Sequence, residues 1–148
     1  MIPALANDLI PSTENTTVFW NLSNHPHAET WPMGQIEAAR SWGGRKPNRL
    51  ADVAFPQVDP GSDTGAVEAL AELTLARLLE RGAMVGEPVL VMGEFTLVLS
   101  LVPRLQAAGL VPVVATSRRE ASLSVHSNGE VLKEHRFRFV QFRPYQVP

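Results

Sequence analysis

Val89-Leu90-Val91-Met92-Gly93-Glu94-Phe95-Thr96 decides how the chain is read. Val89–Met92 is an uninterrupted apolar run entered through Pro88, which suits a strand buried on both faces of a parallel sheet. Gly93 stops it. Glu94 then opens an apolar segment reaching Ala108, too long for a strand and closed by Gly109, a C-terminal capping residue. Pro112–Ala115 repeats the buried-strand signature, with Thr116-Ser117-Arg118-Arg119 behind it as a polar loop. Strand, glycine turn, helix, strand is a Rossmann-like unit, whose ligand crevice lies beyond the carboxyl ends of the strands.

Working outward, Thr17–Leu22 is rich in β-branched and aromatic residues and predicts a first strand, ended by Ser23-Asn24-His25-Pro26-His27. A short helix follows over Gln35–Trp42, stopped by Gly43-Gly44. The basic cluster Arg45-Lys46-Pro47-Asn48-Arg49 reads as a surface connection, and Leu50–Phe55 as a second strand. Asp63 or Thr64 caps the clearest helix, running to Arg81, with Val67, Leu70, Ala71, Leu75, Leu78 and Leu79 on one face. Pro103 should kink or break the helix after Glu94.

The period changes after Arg119. Ala121–His126 and Val131–Tyr145 flank Ser127-Asn128-Gly129-Glu130, and Asn-Gly predicts a type I′ hairpin. Right-handed crossovers give the strand order second, first, third, fourth, with the hairpin at one edge. The expected fold is α/β: a mostly parallel, Rossmann-like sheet flanked by helices, with a C-terminal antiparallel hairpin. The switch point between strands one and three should set Ser23-Asn24-His25 beside Gly93-Glu94-Thr96. Residues 1–16 lack periodicity and read as a flexible N-terminal extension to a single domain over 17–148.

Composition narrows the function. At 148 residues with 45% hydrophobic and 19% charged, the chain suits one globular domain with its own core. It has no apolar run long enough for a membrane span and no basic leader, and cysteine is absent, which removes disulfides and thiol chemistry. These features predict a cytoplasmic protein. Charge is asymmetric: residues 1–94 carry 6 Lys or Arg against 12 Asp or Glu, and residues 95–148 carry 7 against 3. The net charge of −2 is too weak for a genomic DNA binder, yet the basic third suits a small anion.

Several motifs bear on chemistry. His25-Pro26-His27 with Glu29 has the composition of a metal site but lacks further ligands and any known metal spacing, so no metal is assigned. The turn at Gly93 has no serine elbow, and neither a dinucleotide fingerprint nor a Walker loop is present. Gly93 admits close backbone approach, and the N–H groups at Glu94–Thr96 either receive a phosphate or are capped by Glu94 itself. Thr116, Ser117, Arg118 and Arg119 offer hydroxyls and guanidinium forks for phosphate, or else a solvated charge pair. Arg136 and Arg138 share a strand face as a basic stripe. Trp20, Trp31 and Trp42 read as core or interface residues, with Trp31 placed to cover a base.

Asn21-Leu22-Ser23-Asn24-His25-Pro26, the Gln35 helix, Asp52-Val53-Ala54-Phe55-Pro56, Met92-Gly93-Glu94-Phe95-Thr96 and Ala115-Thr116-Ser117-Arg118 together resemble small CRISPR-associated proteins of the CARF superfamily. More narrowly, they are similar to the single-domain group proposed as ring nucleases. That resemblance implies a homodimer binding a cyclic oligoadenylate, of tetra-adenylate size, across its two-fold axis. It implies metal-independent, cofactor-free cleavage by attack of each ribose 2′-hydroxyl on the neighbouring phosphodiester, ending type III CRISPR signalling. The alternative is a non-catalytic cyclic-nucleotide sensor or sponge. Carried onto this chain, the resemblance implies catalytic roles for Ser23, His25 and Arg118, Arg118 stabilising phosphorane charge and His25 titrating near neutrality. It implies ligand contacts by Asn24, Gly93, Glu94, Thr96, Thr116, Ser117 and Arg119. The absence of a fused effector segment favours an enzyme or buffer over an allosteric activator.

Overall fold

The computed structural model describes residues 17–44 and 47–146. The N-terminal extension expected over 1–16, and Arg45 and Lys46 of the basic cluster, lie outside them. Five strands form one sheet: β1 (Val18–Ser23), β2 (Arg49–Ala54), β3 (Pro88–Met92), β4 (Val111–Val125) and β5 (Val131–Pro144). Its order is β2-β1-β3-β4-β5, the first four parallel and β5 antiparallel to β4. The α/β architecture and the strand order follow the sequence expectation. Among the described residues no helix is long and apolar enough to cross a membrane.

Helix α1 (Met33–Arg40), preceded by a 3-10 turn at Ala28–Thr30, covers one face. Helices α2 (Thr64–Glu80) and α3 (Phe95–Ala107) cover the other. Alternation along the strands sorts the core accordingly. Val18, Trp20, Leu22, Val53, Val89 and Val91 point to the α2/α3 face, where Leu78, Leu97, Leu101 and Leu105 are fully buried. Removing each such leucine from water contributes roughly 2 kcal/mol. Phe19, Leu90, Val113 and Phe142 point to the α1 face, packing on Ala28, Trp31, Ile36 and Ala39. Trp20 and Trp31 are core residues, and Trp31 donates its indole N–H to the Pro26 carbonyl at 3.0 Å.

Local chemistry explains the helix ends. Asp63 caps α2 by accepting from Ala66 N–H at 2.8 Å. Gly109, at φ +83°, closes α3 while Leu110 N–H returns to Leu105 C=O. Pro103 does not break α3: it withdraws only the N–H that would reach Leu99 C=O, on the exposed side of the helix. The buried stripe of α2 includes Thr74 and leaves Leu79 44% exposed, contrary to the sequence pattern. Thr74 enters the core because its hydroxyl donates to Leu70 C=O at 2.7 Å, so no polar atom is left unpaired. Asn48, expected on the surface, is likewise buried, donating to Ala39 and Trp42 carbonyls and holding Thr17 Oγ1.

The larger departure concerns the end of the chain. Thr116-Ser117-Arg118-Arg119 is not a loop: β4 runs through it unbroken and pairs with β5 as far as Val125↔Val131. Beyond Val113, the last residue paired with β3, this ribbon has no sheet neighbour on its inner side among the described residues. Past the Ser117↔Phe139 pair, the last to touch the core, both faces are solvated and charged residues alternate freely. At about 3.3 Å per residue, Val125 lies about 40 Å along the strand from Val113. One register shift falls between Thr116 and Ser117, with Val140 as the extra residue of β5. The tip is not type I′ either. No non-glycine residue among those described has positive φ. Within the tip only Gly129 has it, at +87°, with its N–H on His126 C=O, while Glu130 N–H donates to Asn128 Oδ1.

Candidate functional site

The parallel strands end at one edge, and the polar residues gather there. Asn21 and Asp52 are cross-strand partners on β1 and β2, an amide and a carboxylate among apolar neighbours. Asp52 Oδ1 accepts from Asn21 Nδ2 at 2.8 Å and from Ala28 N–H at 2.9 Å. Its second oxygen, Oδ2, stands 3.3 Å from Nδ1 of His27. Partial burial pushes the Asp52 carboxyl up. The donors Ala28 and Asn21, with His27 beside them, outweigh that and hold it below its ordinary value of 3.8.

Ser23 continues the network. Buried, its hydroxyl donates to Asn21 Oδ1 at 2.6 Å and accepts from His25 N–H at 3.2 Å. The Ser23 oxygen therefore braces the β1 loop. His25 is held by its main chain, is exposed, and lines the clefts on both sides of the loop.

The predicted meeting of the two loops is observed at Asn24, His25 and Gly93, whereas Thr96 lines a separate cleft with Asp63, Val67 and Arg104. Ser23 is level with Met92, and Asn24 N–H donates to Met92 C=O at 3.1 Å. Asn24, His25, Met92, Gly93, Phe95, Val98, Val114 and Tyr145 line a cleft of about 280 Å³ at this switch point. A second cleft, of about 310 Å³, lies between the ends of β1 and β2, lined by Asn21, Ser23, Asn24, His25, His27, Asp52 and Phe55. The two share Asn24 and His25.

The helix N-terminus beside Gly93 is already occupied. Glu94 caps α3 with its own carboxylate, which accepts from Thr96 N–H at 3.2 Å, Leu97 N–H at 2.9 Å and the Thr96 hydroxyl. The Thr96 hydroxyl and the Leu97 and Thr96 N–H groups hold the Glu94 carboxyl below its ordinary 4.5. Of the two readings of this turn, the geometry supports the cap. Gly93 serves packing, since a side chain there would collide with the ring of Phe55.

The remaining predicted residues lie on the β4–β5 ribbon. Thr116 Oγ1 bridges the main chain of Gln141, accepting from its N–H at 3.2 Å and donating to its C=O at 3.0 Å. Arg118 is directly opposite Arg138, whose Nε lies 3.6 Å from Glu120. Core membership fixes which way these residues face. Ala115, Phe139 and Phe142 belong to the α1 face, so Ser117 and Arg119 do too, opposite Phe139 and Phe137. Val114, Arg143 and Tyr145 belong to the α2/α3 face, and with them Thr116, Arg118, Arg138 and Arg136. The extra residue Val140 is what brings Arg143 onto the side of Arg138, five positions away. The result is a ladder of exposed arginines, Arg143, Arg118, Arg138 and Arg136, beginning at the cleft lined by Val114.

Asp52, His27, Phe55 and Tyr145 complete the edge without having been picked out for it. Tyr145, the chain's one tyrosine, donates to Val91 C=O at 2.7 Å from a half-buried position, and burial pushes its pKa above 10.0. The signal for Asp52 was present: a carboxylate near the end of a strand whose neighbours are apolar. His25, His27 and Glu29 do not converge on a metal geometry, and no three His, Cys, Asp or Glu side chains do so among the described residues.

No curated protein and no solved structure matches the chain. A family model does, over residues 17–143, which takes in β1 to β4, β5 up to Arg143, the arginine ladder and every lining residue named for the two clefts except Tyr145. The chain therefore belongs to the family described as uncharacterized protein MJ1673.

Proposed function

We propose that this protein binds a cyclic oligoadenylate of about tetra-adenylate size over its carboxyl edge, as a homodimer, and opens the ring without a metal. The observation that carries the reading is the arginine ladder standing on the same sheet face as the switch-point cleft. Guanidinium forks match phosphate oxygens bidentately, and four of them in line suit successive phosphodiesters rather than one isolated anion. The adjoining cleft is lined mainly by apolar atoms, with Asn24 and His25 as its polar rim, a setting for a base rather than for a phosphate.

Cleavage follows from alignment. A ribose 2′-oxygen attacks the adjacent phosphorus in line, the 5′-oxygen leaves, and a 2′,3′-cyclic phosphate remains. The protein holds the three atoms collinear, and the ladder, Arg118 with Arg138 opposite it included, grips the ring's phosphodiesters. By the resemblance to CARF proteins, the consequence is the end of a type III CRISPR signal. The partner copy is assigned to the ribbon's α1 face, away from the ladder. Leu123, Val125, Val131 and Phe137 are exposed on that face, and a two-stranded ribbon is marginal alone.

A second reading, a sensor or sponge that binds without turnover, is favoured by one observation: the Ser23 hydroxyl is committed to Asn21. Incubation with radiolabelled cyclic tetra-adenylate in EDTA separates the two. Multiple turnovers to linear fragments carry the first reading; a gel-shifted, uncut ring carries the second. Absence of binding removes both.

A further inference from the structure

We infer that His27 and Asp52 form a proton-accepting dyad in the β1–β2 cleft, with Nε2 of His27 as the base that takes the proton from the attacking 2′-hydroxyl. The inference rests on the ring-cleavage reading and adds to it a site that the sequence did not assign. Asp52 is fixed before any ligand arrives: Oδ1 is held by Asn21 Nδ2 and Ala28 N–H, which leaves Oδ2 directed at Nδ1 of His27, 3.3 Å away. A carboxylate on Nδ1 selects the tautomer with its proton there, leaves the Nε2 lone pair outward, and stabilises the imidazolium formed on proton uptake. Nε2 has no partner among the described residues, and the ring is exposed on the wall of the cleft.

His25 lies in the same cleft without such a carboxylate. The acidic groups near the dyad are Asp52 and Glu29. Arg81 reaches only the main-chain oxygen of Asp52, at 3.3 Å, and is turned toward the Trp20 ring. No guanidinium among the described residues lines this cleft, so the ladder holds the ring's other phosphodiesters while His27 moves the proton here.

The step balances. Nε2 of His27 takes the 2′-hydroxyl proton as the O2′–P bond forms. The P–O5′ bond breaks, and O5′ takes a proton from water. Loss of the acquired proton to water returns the His27 ring to its starting state. His27 is then the base and Asp52 a positioning residue.

The test is single-turnover cleavage of cyclic tetra-adenylate in EDTA by the full chain and by His27→Asn, His27→Ala and Asp52→Asn, with filter binding on the same samples. His27→Asn keeps a donor toward Asp52 and removes the base. It should lose at least about 100-fold in rate with Kd within about twofold. His27→Ala should regain rate with added imidazole, which a structural role would not permit. Asp52→Asn should lower the single-turnover rate at least about tenfold with Kd unchanged. Cleavage by His27→Asn within about threefold of wild type overturns the dyad and leaves ring cleavage standing. A wild-type protein that leaves the ring uncut overturns the ring-cleavage reading and the dyad with it. The two failures are thus distinct.

Discussion

A Cβ placed on Gly93 would stand 2.5 Å from Cζ and 2.7 Å from Cδ1 of Phe55, so the central turn and the end of β2 interlock. Gly93 has no positive φ. Its lack of a side chain is a packing requirement rather than a conformational one. Gly93→Ala should therefore destabilise the fold by about 1–3 kcal/mol, the cost of overpacking. Phe55→Leu in the same chain should restore most of that loss, because the smaller side chain clears the added methyl. A urea-denaturation double-mutant cycle measures the coupling, and additive effects would show that the collision is relieved elsewhere.

Glu87, 2% exposed, performs the opposite service at the amino edge of the sheet. Its carboxylate accepts from Val18 N–H at 2.7 Å, Trp20 Nε1–H at 3.1 Å and Met84 N–H at 2.7 Å, tying the start of β1 to the approach of β3. Glu87→Ala leaves three donors short of an acceptor and should cost at least about 3 kcal/mol. Denaturation followed by tryptophan fluorescence reads it, since Trp20 loses its indole bond. A loss below about 1 kcal/mol would mean that water replaces the carboxylate.

Both relationships mark where the sequence stops being legible. The buried strands, the Asp63 cap and the Gly109 stop could be read because each is written in a window of a few residues, and the strand order because the handedness of the crossovers leaves few alternatives. Glu87 could not: its three donors come from positions 18, 20 and 84, and only the folded sheet assembles them. The loop expected at Thr116–Arg119 failed for another reason. Charged residues argue against a buried strand, but β4 there is buried on neither face. Asp52 and His27 were visible as residue types, and their pairing waited on the register of β1 with β2. A single extra residue, Val140, moved Arg143 across the sheet and lay below any periodicity signal.

Asp52 also gives the fold an acid limit. Its pKa is lowered in the folded state, so between the folded value and the ordinary 3.8 the native protein binds fewer protons than the unfolded chain. The stability it contributes is therefore complete above the ordinary carboxylate range and is lost as pH falls through the lowered value. Melting temperature should fall below about pH 4 in the wild type, and more gently in Asp52→Asn, which has no proton to take up there. Parallel acid limbs in the two proteins would remove Asp52 from the linkage.

The arginine ladder makes the most discriminating prediction, because the ribbon's two faces serve as each other's control. Arg118 faces Arg138 across the strands, and like charges so placed repel. Arg118→Ala should leave stability unchanged or raise it by up to about 0.5 kcal/mol at low salt, while weakening the binding of cyclic tetra-adenylate at least about tenfold. Arg143→Ala should weaken it comparably, because the bulge at Val140 puts Arg143 on the cleft side. Arg119, one residue from Arg118, faces the α1 side opposite Phe137, so Arg119→Ala should change affinity by less than about twofold. Titration across a range of salt concentrations provides the internal check. Loss of a phosphate contact flattens the salt dependence as well as lowering affinity, whereas a change in ribbon shape lowers affinity without altering the slope. Equal losses for Arg119→Ala and Arg143→Ala would place the ligand on the ribbon's two faces alike and dissolve the link between ladder and cleft.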